Sequence, residues 1–301
     1  MKVIEVSNLH KRYGEQVAVE DVSFAIDEGE IFGVLGPNGA GKTTTVECLA
    51  GLRVPDGGTI RVGGLDPRTD RDAVRSMVGV QLQSAVLPDK IKVWEALDLY
   101  ASFYENPSDW RELLRKVGLE EKRDTAFAKL SGGQRQRLSV ALALVGRPRV
   151  AILDELTTGL DPQARRDAWE LVEQVRDSGV TIVLVTHFME EAERLCDRVA
   201  LIDGGRVVAT DTPAGLVAQV ASEQRLRFRP SAPVSDDVLL ALPGVISVSR
   251  TGDQITVEGT GNLPHVVTIG LSQHDVIATD LRIEQTTLDD AFLALTGKRL
   301  A

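Results

Sequence analysis

Gly36-Pro37-Asn38-Gly39-Ala40-Gly41-Lys42-Thr43 has the spacing G-x-x-x-x-G-K-T, with an apolar strand-like run before it and a helix-like run after it. In that setting Gly36, Gly39 and Gly41 leave backbone N–H groups open to phosphate oxygens. Lys42 can reach the outer phosphates and the Thr43 hydroxyl suits a magnesium ion. Asn38 and Ala40 complete the loop, and Thr44 offers one more phosphate contact. The pattern predicts a nucleotide triphosphate site.

A second set of small residues, Leu130-Ser131-Gly132-Gly133-Gln134, leads into the helix-forming run Gln134 to Leu142. Exposed N–H groups and the helix dipole make such a start another anion nest, which one nucleotide loop alone does not need. Asp154-Glu155 closes the apolar run Val150 to Leu153. Adjacent side chains at a strand end point to opposite sides, so Asp154 suits the Mg²⁺ shell through water while Glu155 suits activation of the attacking water. The same pair would also serve as a plain helix cap. His187 directly follows the apolar run Thr181 to Thr186, where it is either a γ-phosphate sensor or an ordinary surface or core histidine.

These groups can act together only if the chain gathers them on one edge. Val3 to Leu9, Val17 to Ile26 and Glu30 to Leu35 are predicted strands, the last leading straight into the glycine loop. A helix follows from Thr43 to Leu52, then a turn and a short strand, Thr59 to Val62. Asp70 to Met77 reads as helix and Val78 to Gln83 as strand, after which Val93 to Tyr104 and Ser108 to Val117 form an all-helical insertion. Val150 to Leu153 and Thr181 to Val185 are too apolar for half-exposed strands and are predicted to be central and parallel. Helices over Pro162 to Asp177 and Met189 to Leu195 and a strand over Val199 to Ile202 continue the alternation, which implies an α/β core with a mainly parallel sheet. From about Arg225 the order becomes strand, helix, hairpin, helix, strand and a closing helix over Thr287 to Leu295, a small α+β unit of split-βαβ type.

With 301 residues and 43% hydrophobic content, the chain can bury one large core and one small one. A net charge of −10 argues against sequence-independent binding to nucleic acid, which needs basic patches. The opening Met1-Lys2-Val3-Ile4-Glu5-Val6 alternates like a strand and has no secretory pattern, so a cytosolic start is expected. The longest apolar runs fall well short of the ~18 residues a membrane helix needs. Cys48 and Cys196 lack metal or disulfide spacing and are read as buried thiols.

Taken together, Gly36 to Thr44, Gln83, Leu130 to Gln134, Asp154-Glu155, Gly159-Leu160-Asp161 and His187 resemble, in order and spacing, the ATP-binding cassette ATPases that serve ABC transporters. The resemblance covers about Met1 to Gln219. It implies a P-loop fold with a mainly parallel core sheet, an antiparallel β subdomain and a helical subdomain at about 84–147. Residues 1–220 would form the nucleotide-binding domain and 221–301 an accessory α+β domain.

ATP and Mg²⁺ are the implied cofactors. The resemblance assigns catalysis to Glu155, His187 and Gln83, with Thr43, Gln83 and Asp154 around the metal; Gln81, two residues early, is the weaker candidate for the glutamine. It also makes Tyr13 an adenine-stacking aromatic and Asp161 a residue coupling two subunits. Ser131, Gly132, Gly133 and Gln134 would close over ATP held by Lys42 of another copy. Leu156 stands where the family usually has proline. The C-terminal run Thr287 to Gly297 is similar to ATPase subunits of ABC-2 type, daunorubicin-resistance-like exporters. A homodimer on the cytoplasmic face of a membrane, driving a separate multi-span permease, is the implied assembly, and a soluble non-transport cassette protein of translation or DNA repair is the rival.

Overall fold

The computed structural model of the protein describes residues 1–81, 87–220, 224–284 and 286–298. The chain divides into two compact units, Met1–Pro213 and Ala214–Lys298.

The first unit is built on a nine-stranded sheet. Two long strands, β1 (Lys2–Tyr13) and β2 (Gln16–Asp27), pair antiparallel, and β3 (Ile31–Leu35) then runs into the glycine loop. Helix α1 (Lys42–Leu49), strand β4 (Gly57–Val62), helix α2 (Arg71–Met77) and strand β5 (Val78–Gln81) follow. The helical insertion contains α3 (Val93–Ala101), α4 (Trp110–Lys116) and α5 (Gly132–Leu144). The chain then alternates through β6 (Val150–Asp154), α6 (Pro162–Asp177), β7 (Thr181–Thr186), α7 (Met189–Leu195), β8 (Arg198–Asp203) and β9 (Arg206–Asp211).

Strand order across the sheet is β4-β1-β2-β9-β8-β3-β7-β6-β5. Every residue of β3, β6 and β7 is buried, because their apolar runs lie between parallel neighbours in the middle of the sheet. The parallel block β8-β3-β7-β6-β5 therefore brings the C-terminal ends of β3, β6 and β7 side by side. Those ends carry the glycine loop, Asp154-Glu155 and His187, and ligands of open α/β sheets bind at this edge. The antiparallel ribbon of β1, β2 and β4 shares a core with α1, through Leu9, Val19, Val22, Val46 and Leu49.

Strand β9 has no counterpart in the sequence reading. Its burial alternates half-buried with exposed, so it lacks the apolar signature of the central strands, and antiparallel pairing with β8 holds it. Helix α8 (Pro213–Val220) likewise has no counterpart in the sequence reading, and other differences lie at element ends. The first strand runs on to Tyr13, and the helix predicted to Leu52 stops at Leu49.

Helix α8 (Pro213–Val220) begins at the boundary between the units. The second unit contains β10 (Gln224–Pro230), α9 (Asp236–Leu240), β11 (Val245–Thr251), β12 (Gln254–Gly259), α10 (Leu263–Ser272), β13 (Ala278–Glu284) and α11 (Leu288–Thr296). Its four strands pair antiparallel in the order β11-β12-β10-β13. Leu226, Phe228, Ile255 and Val257 from the sheet pack with Leu239 of α9 and Leu263, Val267 and Leu271 of α10. Both cysteines are free and buried, and burial pushes the Cys48 thiol up to about 11, which keeps it protonated and unreactive. Among the described residues, no helix is long and apolar enough to cross a membrane.

Candidate functional site

A cleft of about 460 Å³ opens where the glycine loop meets the β1–β2 ribbon. Asn38, Gly39, Gly41, Lys42, Thr43 and Thr44 form one wall, Tyr13, Gln16 and Ala18 another, and Glu155 closes one side. Gln16 and Ala18 had no signal in the sequence, because only the pairing of β1 with β2 brings them here.

Two of the loop glycines are fixed by the chain's own packing. A Cβ on Gly36 would lie 2.0 Å from the carbonyl oxygen of Ile202, and one on Gly41 would lie 2.4 Å from that of Ala18, while Gly39 has open space around it. The tight loop and its seat against β2 and β8 thus account for the first and last glycines, and Gly39, with φ 81°, sits in the left-handed region that favours glycine. Ala40 is buried, and its N–H donates to the Pro37 carbonyl. Helix α1 starts at Lys42 from a left-handed Gly41, so its first turn faces the cleft.

Lys42 is 5% exposed, and its Nζ donates to the carbonyls of Gly36 at 2.7 Å and Pro37 at 2.9 Å. Burial lowers its pKa from the usual lysine value, against the raising effect of the Glu155 and Asp154 charges. The ammonium is therefore held over the loop with two carboxylates close by.

Asp154, the last residue of β6, is 1% exposed, and its Oδ2 accepts from the Thr43 hydroxyl at 3.4 Å. Its Oδ1 is buried and has no hydrogen-bond partner. Burial first, then the neighbouring Glu155 charge, raise this carboxyl to about 6. An orphaned carboxylate oxygen beside a threonine hydroxyl is a hard-oxygen donor set that fits Mg²⁺, which takes one or two protein ligands and completes its shell with water and phosphate. Among the described residues no cluster of three or more histidine, cysteine or carboxylate side chains could hold a metal by itself.

The strand ends at Asp154, and Glu155 lies just beyond it with φ 50°, in the left-handed region. That conformation costs a non-glycine residue about 1 kcal/mol and turns its side chain out of the strand's alternation. The Glu155 N–H donates to the Val185 carbonyl at 2.9 Å, tying the turn to β7. Its Oε1 stands 3.3 Å from Nδ1 of His187, and its Oε2 accepts from the Thr158 hydroxyl at 3.4 Å. Acid and imidazole, 32 positions apart in the sequence, are thus neighbours. Thr158 is a contact the sequence reading did not include. Leu156 is 1% exposed and serves as a core residue.

Tyr13 lines the cleft and is 42% exposed, and the cationic heads of Lys11 and Arg53 lie 5.5 and 5.8 Å from its ring centre. Gln83 lies outside the described residues. Gln81 is buried at the end of β5, where its Nε2 donates to the backbone oxygen of Asp154 at 3.4 Å.

The second nest lies elsewhere. Ser131 caps α5 in a capping box: its Oγ accepts from the Gln134 N–H at 3.3 Å, and Gln134 Oε1 accepts from the Ser131 N–H at 3.0 Å. Ser131 and Gly132 are exposed, and none of Ser131, Gly132, Gly133 or Gln134 lines the cleft of Lys42. Asp161 is also outside it and caps α6, its Oδ1 accepting from the N–H groups of Gln163 and Ala164. One copy of the chain therefore presents a phosphate loop with an acidic wall, and apart from it a second, preformed helix start.

Residues 19–158 match the ABC transporter family. A Nod factor export ATP-binding protein of Ralstonia nicotianae is 37% identical over 306 residues, covering 99% of this chain and 95% of the relative. The chain belongs to the ABC transporter family. A daunorubicin/doxorubicin resistance ATP-binding protein of Streptomyces peucetius is 36% identical over 98% of this ABC protein and 93% of its own length. The solved dimeric structure of a bacterial ABC transporter cassette superposes with a TM-score of 0.63 at 27% identity, covering 69% of this chain and 98% of the cassette. The protein is accordingly an ATP-binding, ATP-hydrolysing subunit of ABC type, and its relatives are transporter subunits, which removes the translation or repair alternative.

Proposed function

We propose that this ABC ATPase powers export through a separate multi-span permease and works as a head-to-tail homodimer on the cytoplasmic face of the membrane. The observation that carries the dimer is the separation of the two nests: the cleft of Lys42 contains no residue of the Ser131 helix start, which is exposed and already folded. ATP bound by one copy would then be covered by Ser131 and Gly133 of the other, with Asp161 beside the junction. Export is supported by the names of the two relatives, one for Nod factor export and one for resistance to daunorubicin and doxorubicin.

Within one site, Lys42 and the loop N–H groups bind the phosphates and Tyr13 offers a face to adenine. Thr43 and Asp154 would hold Mg²⁺, which when bound neutralises charge on the outer phosphates, and Gln83 is assigned to the same shell. Glu155 accepts a proton from the attacking water, and His187 contacts the γ-phosphate and keeps Glu155 oriented through their 3.3 Å approach. Loss of the γ-phosphate removes the contacts that favour the closed dimer, so hydrolysis is linked to opening. For the permease we assign the insertion at 84–104, whose described part exposes Leu99 (48%) and Phe103 (72%) on and just after α3.

Glu155→Gln tests the catalytic assignment. The variant keeps ATP binding and loses about 10² to 10⁴ in turnover, measured by phosphate release and by nucleotide binding on the same sample. Equal turnover in the two proteins would remove Glu155 from the role of base.

A further inference from the structure

Behind the cleft lies a carboxylate that none of these steps uses. Glu191 on α7 is fully buried at 0% exposure, while Glu190 and Glu193 on the same helix are exposed. Trp169 of α6 donates its Nε1–H to Glu191 Oε1 at 3.2 Å. Burial raises this carboxyl above the usual glutamate range, against the lowering effect of the Thr186 and Thr157 hydroxyls, Trp169 and the Arg165 guanidinium. Glu191 Oε2, Thr157 Oγ1 and Arg165 Nε are nonetheless buried without a completed hydrogen bond, so polar groups converge here at a cost that apolar packing would avoid.

Three segments meet at this carboxylate. Trp169 belongs to α6, Thr186 is the last residue of β7, and Thr157 is two residues past Glu155. Two of these segments carry reacting groups. Thr186 directly precedes His187, and its Oγ1 also accepts the Phe188 N–H at 3.0 Å, which fixes the chain on the far side of the imidazole. Thr157 is fully buried and anchors the turn in which Glu155 is held at φ 50°. A residue in that conformation keeps it only when its surroundings enforce it.

Building on the roles assigned to Glu155 and His187, we propose that Glu191 is a positioning residue for ATP hydrolysis. It ties α6 to the two segments that carry the general base and the imidazole, and so preserves their 3.3 Å approach. It touches neither ATP nor water, and its removal lowers turnover while leaving the phosphate loop intact.

The test compares steady-state ATP hydrolysis and ATP binding of the full chain with those of Glu191→Ala, Glu191→Gln and Trp169→Phe, with Glu155→Gln as control. Glu191→Ala should lose about tenfold or more in kcat with KM for ATP within about twofold, and Glu191→Gln, which keeps an acceptor for Trp169, should recover to within about threefold. A kcat for Glu191→Ala within about twofold of the unaltered chain overturns the proposal, as does a Gln variant as impaired as the Ala variant. Should Glu191→Ala fail to fold, Trp169→Phe decides: lower kcat at unchanged KM supports the role, and unaltered kcat overturns it. Activity that survives Glu155→Gln overturns the base assignment on which the proposal stands, and that control separates the two failures.

Discussion

Asp154 shows how one side chain can be costly without its ligand and useful with it. Burial raises its carboxyl to about 6, above the ordinary aspartate value of 3.8, so the folded chain holds this proton more tightly than the unfolded chain does. The sign follows: Asp154 costs no stability below about pH 4, and the cost grows as pH rises through 6, reaching about 2–3 kcal/mol at neutral pH. Asp154→Asn should therefore be more stable than the unaltered chain in urea at pH 7.5 without nucleotide or Mg²⁺, and the advantage should vanish near pH 4. A pH-independent difference would mean that desolvation of the charge is not the cause. Addition of Mg²⁺ and ATP should reverse the order, because a cation at Oδ1 compensates the buried charge only in the unaltered chain.

At the level of elements, the sequence exposed what is local and hid what is assembled. The glycine loop was legible because its glycines, Lys42 and Thr43 are contiguous and sit between an apolar strand and a helix start. The three central strands were legible for a related reason: their apolar runs are too short for helices. Strand β9 was not, since its residues alternate between half-buried and exposed, and only pairing with β8, together with a contact to β2 at Asp21 and Arg206, holds it. Alternation places Glu155 at the strand end, whereas the chain turns left-handed there and no local sequence pattern marks the turn. Thr158, Gln16 and Ala18 reach the site through pairing or turning of the chain. Glu191 was hidden among Glu190, Glu191 and Glu193 in one acidic helix, and the packing of α6 and β7 alone distinguishes the buried one.

For the whole molecule, the proposed assembly makes two sites from two chains, each chain lending half of each site. Lys42→Ala should be inactive for want of its own phosphate contact, and Ser131→Arg for want of the contact lent to its neighbour. Mixed in equal amounts, the two inactive proteins should recover activity, because a mixed dimer has one site with both halves intact. With random pairing the recovery should be roughly a quarter of the unaltered activity, read as phosphate release from the mixture. No recovery would mean that Ser131 serves the nucleotide of its own chain.

The capping box at Ser131 has a consequence for dose. Because Ser131 and Gln134 satisfy each other, this helix start needs no partner in order to fold, and under the proposed assembly a lone chain would have only half of a working site. Its output per molecule should then fall as the protein is diluted, which assays over a range of chain concentrations would show and a single-chain enzyme would not. If the proposed permease docks two copies, it would supply a high effective concentration, so that scattered subunits would hold ATP without consuming it and spend it only where a transport path is present.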